Sequence, residues 1–433
     1  MAVKIAPCAA ILLVFGLQLA ARSDDDSALE QQIEQLRADM DAMKMAYEHR
    51  IGELERQLKE LKTTVPTASV VEAASPTPLP GMKKETPDIP DLSVIGNIVG
   101  KFSDSHDAEN RNKVLFSEAE VALQGFLHPD IRGDVILHAH RHEDGDYHYG
   151  VCEGYATFMS LLDAFTLNAG RRLLPLGKAN AVHGHHRHFA DSPLVSREFL
   201  GDEGHGPSGN GVNLAWLTPL PFFLQWEVGA WHVDAAHHHD DGEEEEALTY
   251  APSDECYTTR LWSSFALSDD DELEIGVSGL SGYGSHFEHH TDRMQLVCAD
   301  LTYRHIGEGY HRLIFQNEFF WLDRRVPSGA DIDPDPAAYT GSITELDRFG
   351  LYSLINYRFD KTWDVGLRYD YVQKPFPVEP DKDDLSSISP ILTWNLTECS
   401  KLRLQYTYDF DDKENSVLLQ FVFGIGPHSH PLE

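Results

Sequence analysis

Two stretches of the chain concentrate side chains that bind metal. HGHHRH, His183 to His188, places imidazoles at i, i+2, i+3 and i+5. WHVDAAHHHDDGEEEEALTY, Trp231 to Tyr250, holds four histidines, three aspartates and four glutamates in twenty residues. Neutral imidazole and carboxylate oxygen are ligands for borderline divalent metals such as Zn²⁺, Ni²⁺ or Cu²⁺. The metal candidates are therefore His183, His185, His186, His188, His237, His238, His239, Asp240 and Asp241. Neither stretch has the fixed geometry of HExxH, so no single metal is specified and no metal is required as a cofactor. The plainer alternative is a pair of polar loops whose histidines are solvated or hydrogen-bonded. Other clusters are His138, His140, His142 and His148; His286, His289 and His290; and His428 with His430.

A second set of charged residues falls on the polar faces of alternating segments: Glu118, Glu120, Asp134, His138, His140, Glu227, Glu318, Arg368 and Arg403, with Glu272, Glu274, Arg312 and Lys401. If those faces line a lumen, the carboxylates form a negative wall that favours cations. The arginines and Lys401 would form a basic stripe opposite, setting a transverse field. Enzymatic chemistry finds no support. There is no GxSxG elbow, no HExxH, no P-loop and no GxGxxG after a strand, so no enzyme is expected.

The elements that must position these residues follow from the rest of the chain. Of 433 residues, 70 are acidic and 35 basic, a formal charge of −35. Such a surface repels nucleic acid and suits cations. Lys4, the apolar run Ala9–Ala20, and the small residues Ala20, Ala21 and Ser23 form an export signal over 1–23. Its removal takes away Lys4 and Arg22, so −35 becomes −37. Beyond the first twenty residues no apolar run approaches the roughly eighteen needed for a spanning helix. Four scattered cysteines remain (Cys152, Cys256, Cys298 and Cys399), without a disulfide framework or a CxxC pattern.

Residues 24–62 read as a coiled coil. Apolar positions from Leu29 through Ile33, Leu36, Met40, Met43, Tyr47, Ile51, Leu54 and Leu58 to Leu61 keep heptad spacing with one stutter at Tyr47–Ile51. Ser27 and Glu30 form a capping-box pair. Such a seam is buried only against a partner, which predicts a homo-oligomer, a trimer first. Residues 63–91 are a tether with six prolines and TPTPLPG at its centre.

From Leu92 the pattern changes to segments of about ten residues with period-two alternation. In VLFSEAEVALQ, Leu115, Ala119, Val121 and Leu123 share one face; Glu118, Glu120 and Gln124 share the other. In TWDVGLRYDYV, Asp364, Arg368 and Asp370 oppose Trp363, Val365, Leu367, Tyr369 and Tyr371. Connections alternate between short (SDDD, IGEG, FDKT) and long, the longest spanning 173–209. Short periplasmic turns, long external loops and aromatic strand ends mark a transmembrane barrel, whereas a soluble sandwich needs none of them. The spacing predicts an all-β antiparallel transmembrane barrel over 92–424 with sixteen strands, fourteen being the alternative, and a tail over 425–433. An even count puts both barrel ends on the side of the coiled coil. Trp231 is placed near the outer interface, with the His-Asp-Glu run in water above the pore.

An export signal, a coiled coil, a Pro-rich tether and a barrel of this size resemble trimeric Gram-negative outer-membrane porins with periplasmic coiled coils. LNAGRRLLPLGKANAVHGHHRHFADSPLVSREFLGDEG, Leu167 to Gly204, is similar to a strand and loop of porin-like proteins related to phosphate-selective and dicarboxylate-type porins, some of them connected with zinc. The sequence departs from that pattern in its acidic polar faces, which do not suit phosphate, and in its ending, GPHSHPLE. The resemblance implies a lumen narrowed by an inward-folded early loop, which is 173–209 here. The function expected is passive diffusion of small solutes across the outer membrane, cation-favouring and linked to zinc uptake. The partners expected are copies of the chain and outer-membrane lipid, with cell-wall contact and no nucleic acid. The alternative is a non-channel scaffold that binds metal or tethers the cell wall.

Overall fold

In the computed structural model the described residues are 90–105, 110–141, 147–161, 164–201, 206–233, 252–284, 293–327, 343–375 and 384–426. They form sixteen strands. The first eight are β1 (Asp91–Ser103), β2 (Lys113–His128), β3 (Ile131–Arg141), β4 (Tyr147–Leu161), β5 (Phe165–Leu173), β6 (Ser208–Leu217), β7 (Gln225–Val233) and β8 (Pro252–Ala266). The second eight are β9 (Asp271–Gly284), β10 (Arg293–Ile306), β11 (Arg312–Pro327), β12 (Ile343–Arg358), β13 (Trp363–Gln373), β14 (Asp384–Thr397), β15 (Ser400–Asp409) and β16 (Asn415–Ile425). Every strand pairs with its sequence neighbours, and β1 pairs antiparallel with β16 from Val94↔Ile425 to Ser103↔Ser416, closing the ring. The count is sixteen, not fourteen. The coiled coil and tether lie outside the described residues.

The barrel is turned inside out relative to a soluble protein. Val228, Leu261, Val297, Trp321, Leu367 and Leu404 are exposed on the outer face. Glu118, Asp134, Asn213, Asp300, Gln316 and Gln405 are buried on the inner one. Aliphatic and aromatic side chains facing out all round a closed sheet are the surface a bilayer requires. The same alternation that would build one half of a sandwich core here separates lipid from lumen.

Register shifts interrupt the alternation at six of the strand pairings, and two of them bear on the site. Asn97 faces Glu118 and Ile98 faces Phe116, so Ser117 is an extra residue in β2. Phe116 therefore turns outward with Ile98, and Leu115 turns inward with Val99, which corrects the face expected for Leu115. In the β3–β4 pair, Ile136 faces Glu153 and Leu137 faces Val151, which leaves Cys152 as the extra residue. Past it, Glu153 points inward instead of following Val151 to the outside.

Trp231 also departs from expectation. Glu227, Gly229, Trp231 and Val233 share the buried face of β7, so Trp231 lies inside the barrel at 5% exposure rather than at the outer interface. Its indole N–H donates to Thr258 Oγ1 at 2.7 Å. The outward tryptophan of that strand is Trp226.

Candidate functional site

The connection from β5 to β6 folds into the barrel. Leu174, Leu176, Phe189, Val195 and Phe199 on the loop are all but fully buried. They pack with Trp231, Leu280, Leu296, Phe320 and Leu354 from the inner wall in one apolar cluster. The wall strands β7, β9, β10, β11 and β12 thus carry apolar side chains on both faces, the inner set serving the loop. A short helix, α1 (Leu194–Leu200), follows Pro193 and lies against β12 and β13. It ends at Gly201, whose left-handed φ of 64° suits a residue without a Cβ.

Polar contacts then pin the loop at three places around the ring. At the first, the Gly177 N–H donates to Ser278 Oγ (2.9 Å), and the Lys178 and Ala179 N–H groups donate to the Glu318 carboxylate (3.0 and 2.7 Å). Arg260 donates to the Gly177 carbonyl at 2.8 Å, Lys178 Nζ pairs with Glu274, and the Tyr352 hydroxyl donates to Glu318. Gly177 is required here twice over: its φ is +60°, and a Cβ would collide with the Glu318 carboxylate.

The second place is the β2–β4 wall. His183 sits between two carboxylates, with Nδ1 2.8 Å from Glu120 and Nε2 3.1 Å from Glu153. Cys152 Sγ lies 3.9 Å from Nδ1. Burial alone would pull the His183 imidazole down, but Glu120, with the hydrogen bonds of Cys152, Glu120 and Glu153, raises it well above its ordinary value. Next to it, His185 Nδ1 lies 3.7 Å from Glu120. One ligand atom each from Glu118, Glu120 and His185 fall within 4.8 Å of one another, and all three residues are buried. The His186 ring lies tilted against that of His185, ring centroids 4.2 Å apart.

The third place is the arginine side. Arg403 on β15 donates to the carbonyls of Arg187 (2.8 Å) and Phe189 (2.7 Å). Gln405 accepts from the Ala190 N–H (2.8 Å) and donates to Asp191 (2.6 Å). Arg368 on β13 reaches Asp191 Oδ1 at 2.8 Å and Asp370 at 2.7 Å, with its guanidinium 4.7 Å above the Phe189 ring. Burial raises the Asp191 carboxyl, but Arg368, Arg197 and Gln405 outweigh it and hold it below its ordinary range. His188 faces this side: burial, Arg403 and Lys401 push it down to about 3, so it stays neutral.

The ring order gives these contacts their meaning. β11 lies seven strand positions from β4 in one direction and seven from β2 in the other. The five residues from Ala179 to His183 therefore run between nearly opposite walls, across the lumen.

The residues expected to line a lumen are thus divided. Glu118, Glu120, Asp134, His138 and His140 lie on the inner faces of β2 and β3, Glu118 opposite His140 and Glu120 opposite His138. Asp134 is held by Gln124 (2.7 Å) and Arg132 (2.9 Å). Glu227 accepts from Asn213 and Gln225 beside a cavity of about 170 Å³ lined also by Thr166, Asn168 and Arg172. Glu318, Arg368 and Arg403 lie inward too, but the loop covers them to 2% exposure or less. The charges do not form two opposed walls: Glu227 and Glu318 sit on β7 and β11, and Arg368 and Arg403 are five and three strands from β2. Of the metal candidates, His183 and His185 meet on the carboxylates of β2, whereas His188 lies apart. His237, His238, His239, Asp240 and Asp241 lie outside the described residues. Glu153, Cys152 and Gln405 were not among the expected site residues.

No family model matches the chain. A protein of Aquifex aeolicus (strain VF5), described only as uncharacterized, is 28% identical over 414 residues, spanning 89% of this chain and 84% of its own length. Among solved structures, the anion-selective porin from Comamonas acidovorans superposes with a TM-score of 0.50 at 9% identity, over 78% of this chain and 100% of that one. OmpF of Salmonella typhi, in complex with daunomycin, gives 0.50 at 10% identity, over 78% and 97%. The fold is that of an outer-membrane porin. At such identities the likeness concerns the barrel alone, since selectivity is set by the side chains in the lumen.

Proposed function

We propose that the protein is a diffusion channel of a Gram-negative outer membrane, through which small solutes pass down their gradient. The observation that carries this reading is the inside-out barrel with a polar interior narrowed by an inward loop. In the same reading the export signal delivers the chain, the periplasmic coiled coil assembles a trimer, and the Pro-rich segment tethers coil to barrel. Cations are the favoured cargo, divalent metal and zinc first. What supports this is the cluster of Glu118, Glu120 and Glu153 on one sector of the wall, within a chain of formal charge −35. No chemical step is assigned to the protein.

Planar-bilayer recording tests the reading. Discrete conductance steps and a reversal potential shifted toward the cation equilibrium are expected under a salt gradient. Anion selectivity would remove the cation reading and leave the channel. A second reading has one observation in its favour: the loop crosses the lumen between nearly opposite walls, which suits a plugged scaffold that binds metal or contacts the cell wall. Absence of any conductance step, with the protein folded and inserted, would favour it.

A further inference from the structure

Glu118 and Glu120 are two residues apart on β2, so period-two alternation aims both carboxylates the same way. The extra residue Ser117 lies immediately before them and resets the face of everything earlier in the strand. Onto this pair the loop lowers His185, whose residue exposure is 1%. Three buried ligand atoms within 4.8 Å are close to the spacing of a bound first-row cation, whose tetrahedral ligands stand about 3.3 Å apart.

A second observation points the same way. The β2–β3 register sets His138 directly across from Glu120 and His140 across from Glu118. Facing cross-strand pairs bring Cβ atoms to about 5 Å. The His138 and His140 rings lie with centroids 5.0 Å apart, so two further imidazoles stand on the strand facing the carboxylate pair. His183, bonded to Glu120 on one side and Glu153 on the other, fixes the orientation of the Glu120 carboxylate. Two carboxylates also offset the charge of a divalent ion. Imidazole among the ligands disfavours Mg²⁺ and Ca²⁺, which take oxygen, and the absence of thiolate from the three disfavours Cu⁺.

We propose that Glu118, Glu120 and His185 form a binding site for a first-row divalent transition cation of the zinc type at the seam between the inward loop and the β2–β3 wall. The inference rests on the channel reading only for the site's role in passage; binding itself does not depend on conduction. A cation held there joins loop to wall through His185, so occupancy and loop position are coupled.

The test is calorimetric titration of the full-length, chelator-stripped protein in detergent with zinc chloride alone, repeated with magnesium and calcium. One tight zinc per chain is expected, with little response to the other two ions. Glu118→Gln and His185→Gln are expected to weaken that site by about a hundredfold or more, and His183→Gln by roughly ten- to a hundredfold. Because a variant can fail to fold, cobalt(II) absorption is recorded on the unaltered protein: an intense visible d–d band marks a low-coordinate site containing nitrogen. The proposal is overturned if zinc and magnesium bind alike, if cobalt gives only the weak band of the hydrated ion, or if folded His185→Gln binds zinc as before. Bilayer conductance of the unaltered protein, read beside its zinc titration, separates the two readings: steps without tight zinc sink the site and keep the channel, and tight zinc without steps does the reverse.

Discussion

The seam at β2–β4 and the arginine side at β13–β15 hold the same loop by different means. At the seam one imidazole, His183, is a cation between two carboxylates. On the arginine side, two guanidinium groups and Gln405 bind four residues of the loop, with contacts to backbone atoms of Arg187, Phe189, Ala190 and Asp191. The first arrangement depends on one side chain and its charge state. The second is redundant and largely indifferent to loop sequence. HGHHRH spans both: His183 is charged among carboxylates, and His188, five residues on, is neutral among arginines. Identical side chains take opposite states because the walls they meet differ.

Substitutions can break that comparison. The largest effect is expected from Arg368→Ala, which leaves Asp370 buried and Asp191 half-buried without their cation and should cost about 3–5 kcal/mol. The heat needed to shift the folded band in semi-native electrophoresis measures it; a transition unchanged from the unaltered protein would mean that the arginine side is not the firmer anchor. His183→Gln keeps one amide donor but loses the charge, so about 1.5–3 kcal/mol is expected. Conductance should nevertheless rise more than in Arg403→Gln, because no neighbour replaces His183 whereas Arg368 and Gln405 remain beside Arg403. Gly177→Ala forces a Cβ into the left-handed region and against Glu318, at about 1–3 kcal/mol, and should raise protease sensitivity near Lys178.

The smallest effect at neutral pH, and the sharpest separation of the two sides, comes from acid. Asp191 is held below its ordinary value of 3.8, so its contribution is complete above that pH and is lost as pH falls through the lower folded value. Conductance should therefore step upward in strong acid. Asp191→Asn should already sit near that level at pH 7 and show no step; an undiminished acid step in this variant would move the titration elsewhere.

Much of the barrel was legible because lipid and lumen impose a period of two on every strand. The barrel expected over 92–424 with sixteen strands runs from Asp91 to Ile425 with that number. The failures are local and physical. Glu153 escaped notice because Cys152 adds a residue and reverses the phase of alternation. Leu115 was put on the wrong face by the same effect at Ser117. Trp231 was assigned to the interface on its type, while the parity it shares with Glu227 sends it inside. HGHHRH was visible as a cluster, but its division between two walls was not. That division depends on contacts such as Ala190 with Gln405, 215 positions along the chain, which no local pattern encodes.

The clasp of the ring has a consequence for assembly. Fifteen of the sixteen pairings join consecutive strands and can form as hairpins. The remaining one brings β1 to β16, and at its rim Asp104 accepts both the backbone and side-chain N–H groups of Asn415, 311 residues away. The entropy lost in such a closure grows only with the logarithm of the loop, so distance along the chain is a modest obstacle. The harder requirement is order. A chain stopped before β16 would carry two unpaired edges, each a template for a foreign strand, and only the last eleven residues of sheet remove both.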